Sequence, residues 1–289
     1  MRQPHEVGPR ASTASTTSRT SRALPSLRSN GVPAGDTAHS FAPMRESTAI
    51  ADEPAALRQR FERDGYVMVR GLLDPALVLR LRSAYLALAD VSRDAEYGTP
   101  GHAAHRFVRS HEFDAFTRDP GLLTLAESLL GSPAELLPRR ILRHFEPDSA
   151  RASRAHTDFD YLDHGTERIV TIWIPVGDCA IECGGLSYLE ASHQLAPAEL
   201  EPLRAVTDRP EDPRPISHDL GRTAQAFNRR WLWADYRAGD VVAHSPRIVH
   251  ASTDNISDAA RVSIDLRFHA VGCPGDPRWQ GDWSADDGY

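Results

Sequence analysis

The first half of the chain shows apolar residues at helical spacing. The segment 54–65, PAALRQRFERDG, predicts a short helix that ends at Gly65, because glycine commonly follows a helix C-terminus. The segment 74–92, DPALVLRLRSAYLALADVS, predicts a longer helix that begins at Asp74 and Pro75. Its apolar stripe consists of Leu77, Leu81, Tyr85 and Leu88. The segment 118–132, RDPGLLTLAESLLGS, repeats this pattern and predicts a third helix.

Short apolar runs bounded by Gly, Pro, Asp or Ser predict β-strands, most of them after residue 134. They are YVMVRGLL (66–73), LPRRILRHFEP (137–147), RIVTIWIPVGD (168–178), GGLSYLEAS (184–192), GDVVAHSP (239–246), RIVHAS (247–252) and ARVSIDLRFHAVG (260–272). Helices followed by many short strands indicate a mainly β fold with flanking helices. We therefore expect a double-stranded β-helix, a jelly-roll or cupin-like core, that carries helices on one outer face.

Two regions lack a regular pattern. Residues 1–45 are rich in Ser, Thr, Arg, Pro and Ala without hydrophobic periodicity, so we expect a disordered extension. A true translation start at Met44 or an organellar transit peptide are alternative interpretations of this region. The remaining residues, 46–289, are expected to form a single domain. Within it the Pro-, Arg- and Asp-rich stretch of about 195–238 is expected to be an irregular insert or lid.

Composition excludes several classes of protein. The net charge of −7 and the scattered Lys and Arg residues argue against a nucleic-acid-binding protein. The sequence contains no apolar run long enough for a membrane span. Three cysteines, Cys179, Cys183 and Cys273, argue against a disulfide framework and suggest a reducing compartment. We therefore expect a cytoplasmic protein, and its oligomeric state is left open.

A candidate metal site begins in the stretch RAHTDFDYLD. His156 and Asp158 stand two residues apart, and on a strand such side chains point to the same side. The third ligand should come from a distant strand, and His250 in RIVHASTDN is the best candidate. Two histidines and one carboxylate leave three positions open on an octahedral ion. This set suits Fe(II) that also binds an oxo acid and dioxygen. A structural His–Asp hydrogen bond is the alternative explanation.

The strand after His250 offers a second polar feature. In ARVSIDLRF the residues Val262, Ile264, Leu266 and Phe268 share one face, and Arg261, Ser263, Asp265 and Arg267 share the other. An Arg and a Ser two residues apart can hold one carboxylate through a guanidinium fork and a hydroxyl. A solvent-facing polar edge explains the same pattern equally well.

Taken in order, these motifs resemble the phytanoyl-CoA dioxygenase family of Fe(II)- and 2-oxoglutarate-dependent oxygenases. The resemblance runs from FERDGYVMVRGLLDP to RVSIDLRF and includes HTD, WIPVGD, GGLSYLEASHQ and GDVVAHSPRIVHASTDN. It implies that His156, Asp158 and His250 bind iron. An Asp at position 158 further implies oxygen insertion or another oxidation, because related halogenases carry a small residue there. Ala191 stands where the family usually has Gly before Ser–His.

The resemblance also implies a cosubstrate pocket. Arg261 would bind the distal carboxylate of 2-oxoglutarate, and Ser252 would lie beside that carboxylate or the arginine. Trp173 would line the pocket, and Thr171 and Ser263 are weaker candidates. Asn255 would organise the loop after the distal histidine rather than contact iron.

Substrate contacts are predicted from position alone. Asp160 and Tyr161 directly follow the HxD motif, and Arg143 lies on the preceding predicted strand. Trp231 and Trp233 form either an aromatic wall over the substrate or ordinary packing under a loop. The expected activity is oxidation of a small metabolite, in secondary metabolism, with release of succinate and CO2. A zinc hydrolase with the same three ligands and a catalytically dead binding module are the alternatives.

Overall fold

The computed structural model describes residues 23–88, 94, 101–204, 212 and 214–281. The described helices are α1 (Thr37–Ser40), α2 (Pro54–Asp64), α3 (Pro75–Leu86), α4 (Ala103–Phe107), α5 (His111–Thr117), α6 (Pro120–Leu130), α7 (Pro197–Arg204) and α8 (Leu220–Phe227). The three predicted helices are confirmed as α2, α3 and α6, although residues 89–92 of the second prediction lie outside the described part. Asp74 and Asp119 cap α3 and α6 as predicted, because their carboxylates accept the amide hydrogens of Ala76 and Gly121.

The strands are β1 (Arg28–Ser29), β2 (Val32–Pro33), β3 (Phe41–Pro43), β4 (Tyr66–Val69), β5 (Ala134–Leu136), β6 (Ile141–Phe145), β7 (Ile169–Pro175), β8 (Leu186–Leu189), β9 (Trp231–Trp233), β10 (Val241–His244), β11 (His250–Ser252) and β12 (Arg261–Ala270). The larger sheet has the order β4-β10-β7-β12-β5, with β6 also paired to β12. The smaller sheet has the order β11-β8-β9-β3. Each predicted strand segment contains one of these strands.

Alternation along the strands separates the two faces of the larger sheet. In β4, Val67 and Val69 pack in a cluster with residues of α2, α3 and α6, so this outer face is covered by helices. Tyr66 and Met68 point the other way and pack against Tyr188 of the smaller sheet. The two sheets therefore face each other across a shared interior. Within the described residues no helix is long and apolar enough to cross a membrane.

The prediction of disorder up to residue 45 is wrong for residues 24–43. Leu27 and Phe41 are buried in a core cluster, and β3 pairs in parallel with β9. β1 and β2 form a hairpin whose turn residues, Asn30 and Gly31, both have positive φ. These few apolar residues become ordered because the rest of the protein supplies the surface that they cover. Residues 1–22 lie outside the described part.

The stretch 195–238 is more regular than predicted. It contains α7, α8 and the internal strand β9, and residues 205–211 and 213 lie outside the described part. Leu200 of α7 and Leu220 of α8 pack in one cluster with Trp231. Helices therefore also pack beside the smaller sheet, in addition to the helices that cover the outer face of the larger sheet.

Candidate metal centre and cosubstrate pocket

His156 and His250 are brought together by a single antiparallel β-bridge. The amide of each donates to the carbonyl oxygen of the other, at 3.0 and 2.9 Å, and the ring centroids are 4.2 Å apart. The predicted strand at the HxD motif is wrong in detail, because a 3-10 helix, Asp158–Tyr161, begins directly after this bridge. The turn into that helix still presents the carboxylate of Asp158 to both imidazoles.

One ligand atom from each of His156, Asp158 and His250 lies within 4.8 Å of the other two. Nδ1 of His156 lies 2.6 Å from the carbonyl oxygen of Arg154, and Nδ1 of His250 lies 3.1 Å from that of Ile248. A carbonyl oxygen only accepts, so both Nδ1 atoms carry the hydrogen and both Nε2 atoms keep a lone pair. Two such nitrogens and one carboxylate oxygen fit a divalent ion of the Fe(II) type.

The carboxylate of Asp158 is held by donors from three different strands. Its Oδ2 accepts the hydroxyl of Thr171 at 2.5 Å and Nε2–H of His244 at 3.2 Å. Its Oδ1 accepts a guanidinium hydrogen of Arg267 at 2.9 Å and lies 3.9 Å from Nε2 of His250. The oxygen that faces the histidines is therefore the one bonded to Arg267.

Burial and charge set the protonation of the three ligands. Burial by itself would raise the pKa of Asp158, but Arg267 and the neighbouring His244 and His250 outweigh it and hold this pKa well below its usual range. Burial lowers the pKa of His156, and burial together with the other two histidines lowers that of His250 well below its usual value. The site therefore offers one ionised carboxylate and two neutral imidazoles at neutral pH, which are the forms that bind a metal.

A small cavity lies between the candidate metal ligands and β12, beside the residues predicted to bind the cosubstrate. This cavity of about 20 Å³ is lined by Trp173, Ser252 and Arg261 together with the three candidate ligands. Arg261 is 4% exposed, donates to the carbonyl oxygen of Gly184 at 2.8 Å and stacks over the ring of Phe145 at 4.2 Å. The polar face of β12 is buried, so the alternative of a solvent-facing edge is wrong.

The two weaker candidates for the cosubstrate pocket, Thr171 and Ser263, do not line the small cavity. Thr171 contacts Asp158. Ser263 is fully buried on the Arg261 face of β12. Asn255 donates to the carbonyl oxygens of Phe145, Glu146 and Ala259, which agrees with its expected role in holding the loop.

A second cavity of about 460 Å³ opens on His156 and Asp158. Its wall includes Arg143 and Tyr161, both predicted substrate contacts, and also Arg151, Arg154 and Arg267. Among its described lining residues Asp158 is the only acid. The space beside the candidate metal site is therefore polar and rich in guanidinium groups.

Three predicted substrate contacts do not line either cavity. Asp160 turns away because the chain enters the 3-10 helix, and its carboxylate accepts from Thr157 and from Arg204, both at 2.6 Å. Trp231 is fully buried in a core cluster and donates to the carbonyl oxygen of Leu220 at 2.8 Å, and Trp233 packs against the same cluster. The packing interpretation of the two tryptophans is therefore the one that the structure supports.

Sequence reasoning assigned no role to Arg267 and His244. Arg267 shares the polar face of β12 with Arg261, and this alternation was the available signal. His244 is 1% exposed on β10, and its Nδ1 lies 2.9 Å from the hydroxyl of Tyr188. No local sequence signal indicated its contact with Asp158, which is 86 residues away in sequence.

Comparison with known proteins places this geometry in a family. The phytanoyl-CoA dioxygenase (PhyH) family matches residues 61–263. The chain is 26% identical over 249 residues to 1-deoxypentalenic acid 11-beta-hydroxylase of Streptomyces arenae, which covers 79% of this chain and 85% of the relative. It is 28% identical over 231 residues to L-proline trans-4-hydroxylase of Streptomyces griseoviridis, covering 73% of this chain and 85% of the relative.

Solved structures support the predicted jelly-roll fold. The non-heme alpha ketoglutarate dependent epimerase SnoN from nogalamycin biosynthesis aligns with a TM-score of 0.60 at 22% identity, covering 78% of this chain and 87% of SnoN. EctD from S. alaskensis aligns with a TM-score of 0.60 at 18% identity, covering 83% of this chain and 85% of EctD. The match to the family spans most of the chain, and the two hydroxylase relatives agree with it. The chain therefore belongs to the phytanoyl-CoA dioxygenase family and is a 2-oxoglutarate-dependent non-haem iron oxygenase.

Proposed function

We propose that this oxygenase hydroxylates or otherwise oxidises a small polar or acidic metabolite of secondary metabolism. The observation that carries the proposal is the convergence of His156, Asp158 and His250 at the wall of a cavity of about 460 Å³. A cavity of this size suits a small molecule. The names of two relatives, hydroxylases of 1-deoxypentalenic acid and of L-proline, support a small acid.

In this proposal His156, Asp158 and His250 bind iron(II). Their protonation states and the fixed Nδ1–H groups support this assignment. Thr171 and His244 both donate to Oδ2 of Asp158, which leaves Oδ1 as the oxygen directed at the metal. Thr171 therefore acts on the metal site through Asp158 and not as a wall of the cosubstrate pocket.

Arg261 is proposed to hold the distal carboxylate of 2-oxoglutarate. Its burial removes competition from water, and its stacking on Phe145 and its bond to Gly184 fix the plane of the guanidinium. Ser252 and Trp173 are proposed as further walls of this pocket, because both line the small cavity. Ser263 is buried on the same face of β12 as Arg261, and we propose it as a weaker contact of the cosubstrate.

When bound, iron(II) would activate dioxygen as the oxidant, with two electrons supplied by 2-oxoglutarate as it is converted to succinate and CO2 and two supplied by the substrate as it is oxidised. The chain's own residues bind and orient the cosubstrate and the substrate, and they exclude water from the site. Arg143 and Tyr161 are proposed to contact the substrate, because both line the larger cavity. The guanidinium groups of Arg151 and Arg154 on the same wall support an acidic substrate.

The test is succinate formation by protein loaded with Fe(II) under anaerobic conditions and then exposed to oxygen. Candidate acids, beginning with L-proline and 1-deoxypentalenic acid, are each compared with the corresponding primary amide. We expect slow consumption of 2-oxoglutarate without substrate and faster succinate formation with a suitable acid. Absence of iron-dependent consumption of 2-oxoglutarate in every mixture would overturn the proposal.

Asp158→Ala and Asp160→Ala provide a matched pair for this assay. The two carboxylates lie in the same 3-10 helix, but only Asp158 reaches the candidate metal site. Asp160→Ala should keep iron-dependent consumption of 2-oxoglutarate, whereas Asp158→Ala should lose it. Equal loss in both variants would indicate a general defect of folding.

A further inference from the structure

We propose that Arg267 is a positioning residue that couples two binding events: binding of the metal ion to Asp158, and binding to that ion of the carboxylate of a chelating ligand. This inference rests on the proposed function, since it assumes that His156, Asp158 and His250 hold the ion. Arg267 lies outside the matched family region, on β12 four residues after its end. Its guanidinium donates to Oδ1 of Asp158 at 2.9 Å, and both side chains are buried.

The position of Arg267 is the first argument. Oδ1 is the oxygen of Asp158 that faces His250, at 3.9 Å from Nε2, while Oδ2 accepts from Thr171 and His244. The guanidinium therefore lies at the edge of the metal site itself. Arg267 lines both the small cosubstrate cavity and the larger cavity. An anion that binds the ion from either side therefore arrives beside this side chain.

Charge balance is the second argument. Without a metal, the positive charge of Arg267 is balanced by the carboxylate of Asp158, in a buried pair that attracts strongly. A divalent cation on Oδ1 competes for the same negative charge. The ion brings two positive charges to a ligand set with one carboxylate, and Arg267 lies beside that carboxylate, so positive charge is then in excess around Asp158. A carboxylate at the metal relieves that excess, and a guanidinium offers five donors in a planar fork to receive it.

Arg143, which also lines both cavities, differs from Arg267 in its carboxylate partner. Its guanidinium forms an ion pair with Asp265, which is not a candidate metal ligand. The charge of that pair stays balanced when the metal binds. Arg267 is thus the cavity arginine whose described carboxylate partner is itself a candidate metal ligand. Its side chain is held in place by stacking over the ring of Trp279 at 4.5 Å.

Two chelators separate the roles of the two arginines. N-Oxalylglycine carries a metal-binding end and a distal carboxylate, whereas oxalate carries only the metal-binding end. Each is titrated by calorimetry into protein loaded with Co(II), and Co(II) alone is titrated into the metal-free protein. The variants are Arg267→Gln, Arg267→Lys and Arg261→Gln. Arg139→Gln is the matched control, because Arg139 is also buried over Trp279, at 5.3 Å, but lines neither cavity.

We expect Arg267→Gln to weaken both chelators by about 10- to 150-fold, the range for loss of a charge-assisted hydrogen bond. Arg267→Lys should recover part of that loss. Arg261→Gln should weaken N-oxalylglycine and leave oxalate unchanged, and Arg139→Gln should leave both unchanged. Affinity for Co(II) alone should not fall in Arg267→Gln, because a neighbouring positive charge has been removed.

Two results would overturn the inference. The first is an oxalate affinity of Arg267→Gln within about twofold of the parent protein, well below the change expected for a charge-assisted bond. The second is loss of Co(II) binding in Arg267→Gln while its folded structure persists by circular dichroism, which would make Arg267 a structural support of Asp158. Failure of the parent protein to bind Co(II) or N-oxalylglycine would instead count against the proposed function.

Discussion

Replacement of Arg261 by Ala tests the cosubstrate pocket directly. The guanidinium is buried, donates to the carbonyl oxygen of Gly184, stacks on the ring of Phe145 and lines the small cavity proposed for the cosubstrate. The variant should therefore bind 2-oxoglutarate poorly. It should still bind metal, because His156 and His250 are held by backbone carbonyls that do not involve Arg261.

The magnitude follows from the interactions removed. A hydrogen bond to a charged partner contributes about 1.5–3 kcal/mol, which corresponds to about a 10- to 150-fold rise in the KM for 2-oxoglutarate. Loss of the bond to Gly184 and of the stacking on Phe145 should also lower the free energy of unfolding, by about 2–4 kcal/mol. The rise in KM and the loss of stability can be separated, because only the rise in KM depends on the concentration of 2-oxoglutarate.

The assay measures iron-dependent consumption of 2-oxoglutarate as a function of its concentration, and metal content of the loaded protein. Arg82→Ala is the control. Arg82 donates to the carbonyl oxygens of Val176 and Ala260 at 2.7 and 2.6 Å but lines neither cavity. It should lower stability without raising the KM. An unchanged KM in Arg261→Ala would refute the assignment of this pocket.

Three further predictions test the metal site, the N-terminal region and a buried histidine. His156→Ala should abolish binding of Co(II) measured by calorimetry, whereas His164→Ala, at an exposed site near the same turn, should bind as the parent does. Phe41→Ala should lower the free energy of unfolding in urea by about 3–5 kcal/mol, because the ring is buried, and Val32→Ala, at an exposed site, should change it little. Burial, followed by His102 and Arg109, lowers the pKa of His105 to about 4. Below about pH 6.5 this histidine is protonated in the unfolded chain, whereas in the folded protein it stays neutral down to about pH 4. The free energy of unfolding should therefore decrease as the pH falls through this window, by about 2 kcal/mol at pH 5. In His105→Gln the free energy of unfolding, measured in urea at pH 7 and pH 5, should lack this part of the decrease. An equal decrease in the variant and the parent protein would contradict the argument.

Much of the candidate site could be predicted because its signals are local. The spacing of His156 and Asp158 and the alternation along β12 are visible in a few neighbouring residues. Their order relative to His250 then matched a known family. Asp160, a predicted substrate contact, does not line either cavity, because this segment forms a 3-10 helix and not a continued strand. Periodicity does not report where this strand stops, and in the folded protein the carboxylate of Asp160 accepts from Arg204 of α7 and not from a group at the cavity.

The sequence by itself determined α2, α3 and α6 with their caps, the seven predicted strand segments and the residue types able to bind iron and an oxo acid. These depend on hydrogen bonds and hydrophobic faces within a few residues. Only the tertiary structure decided that residues 24–43 are ordered, that Trp231 is core, and that Thr171, His244 and Arg267 surround Asp158. The physical reason is that these contacts join residues far apart in sequence. Their free energy depends on burial and on donor geometry that exist only after the two sheets have packed.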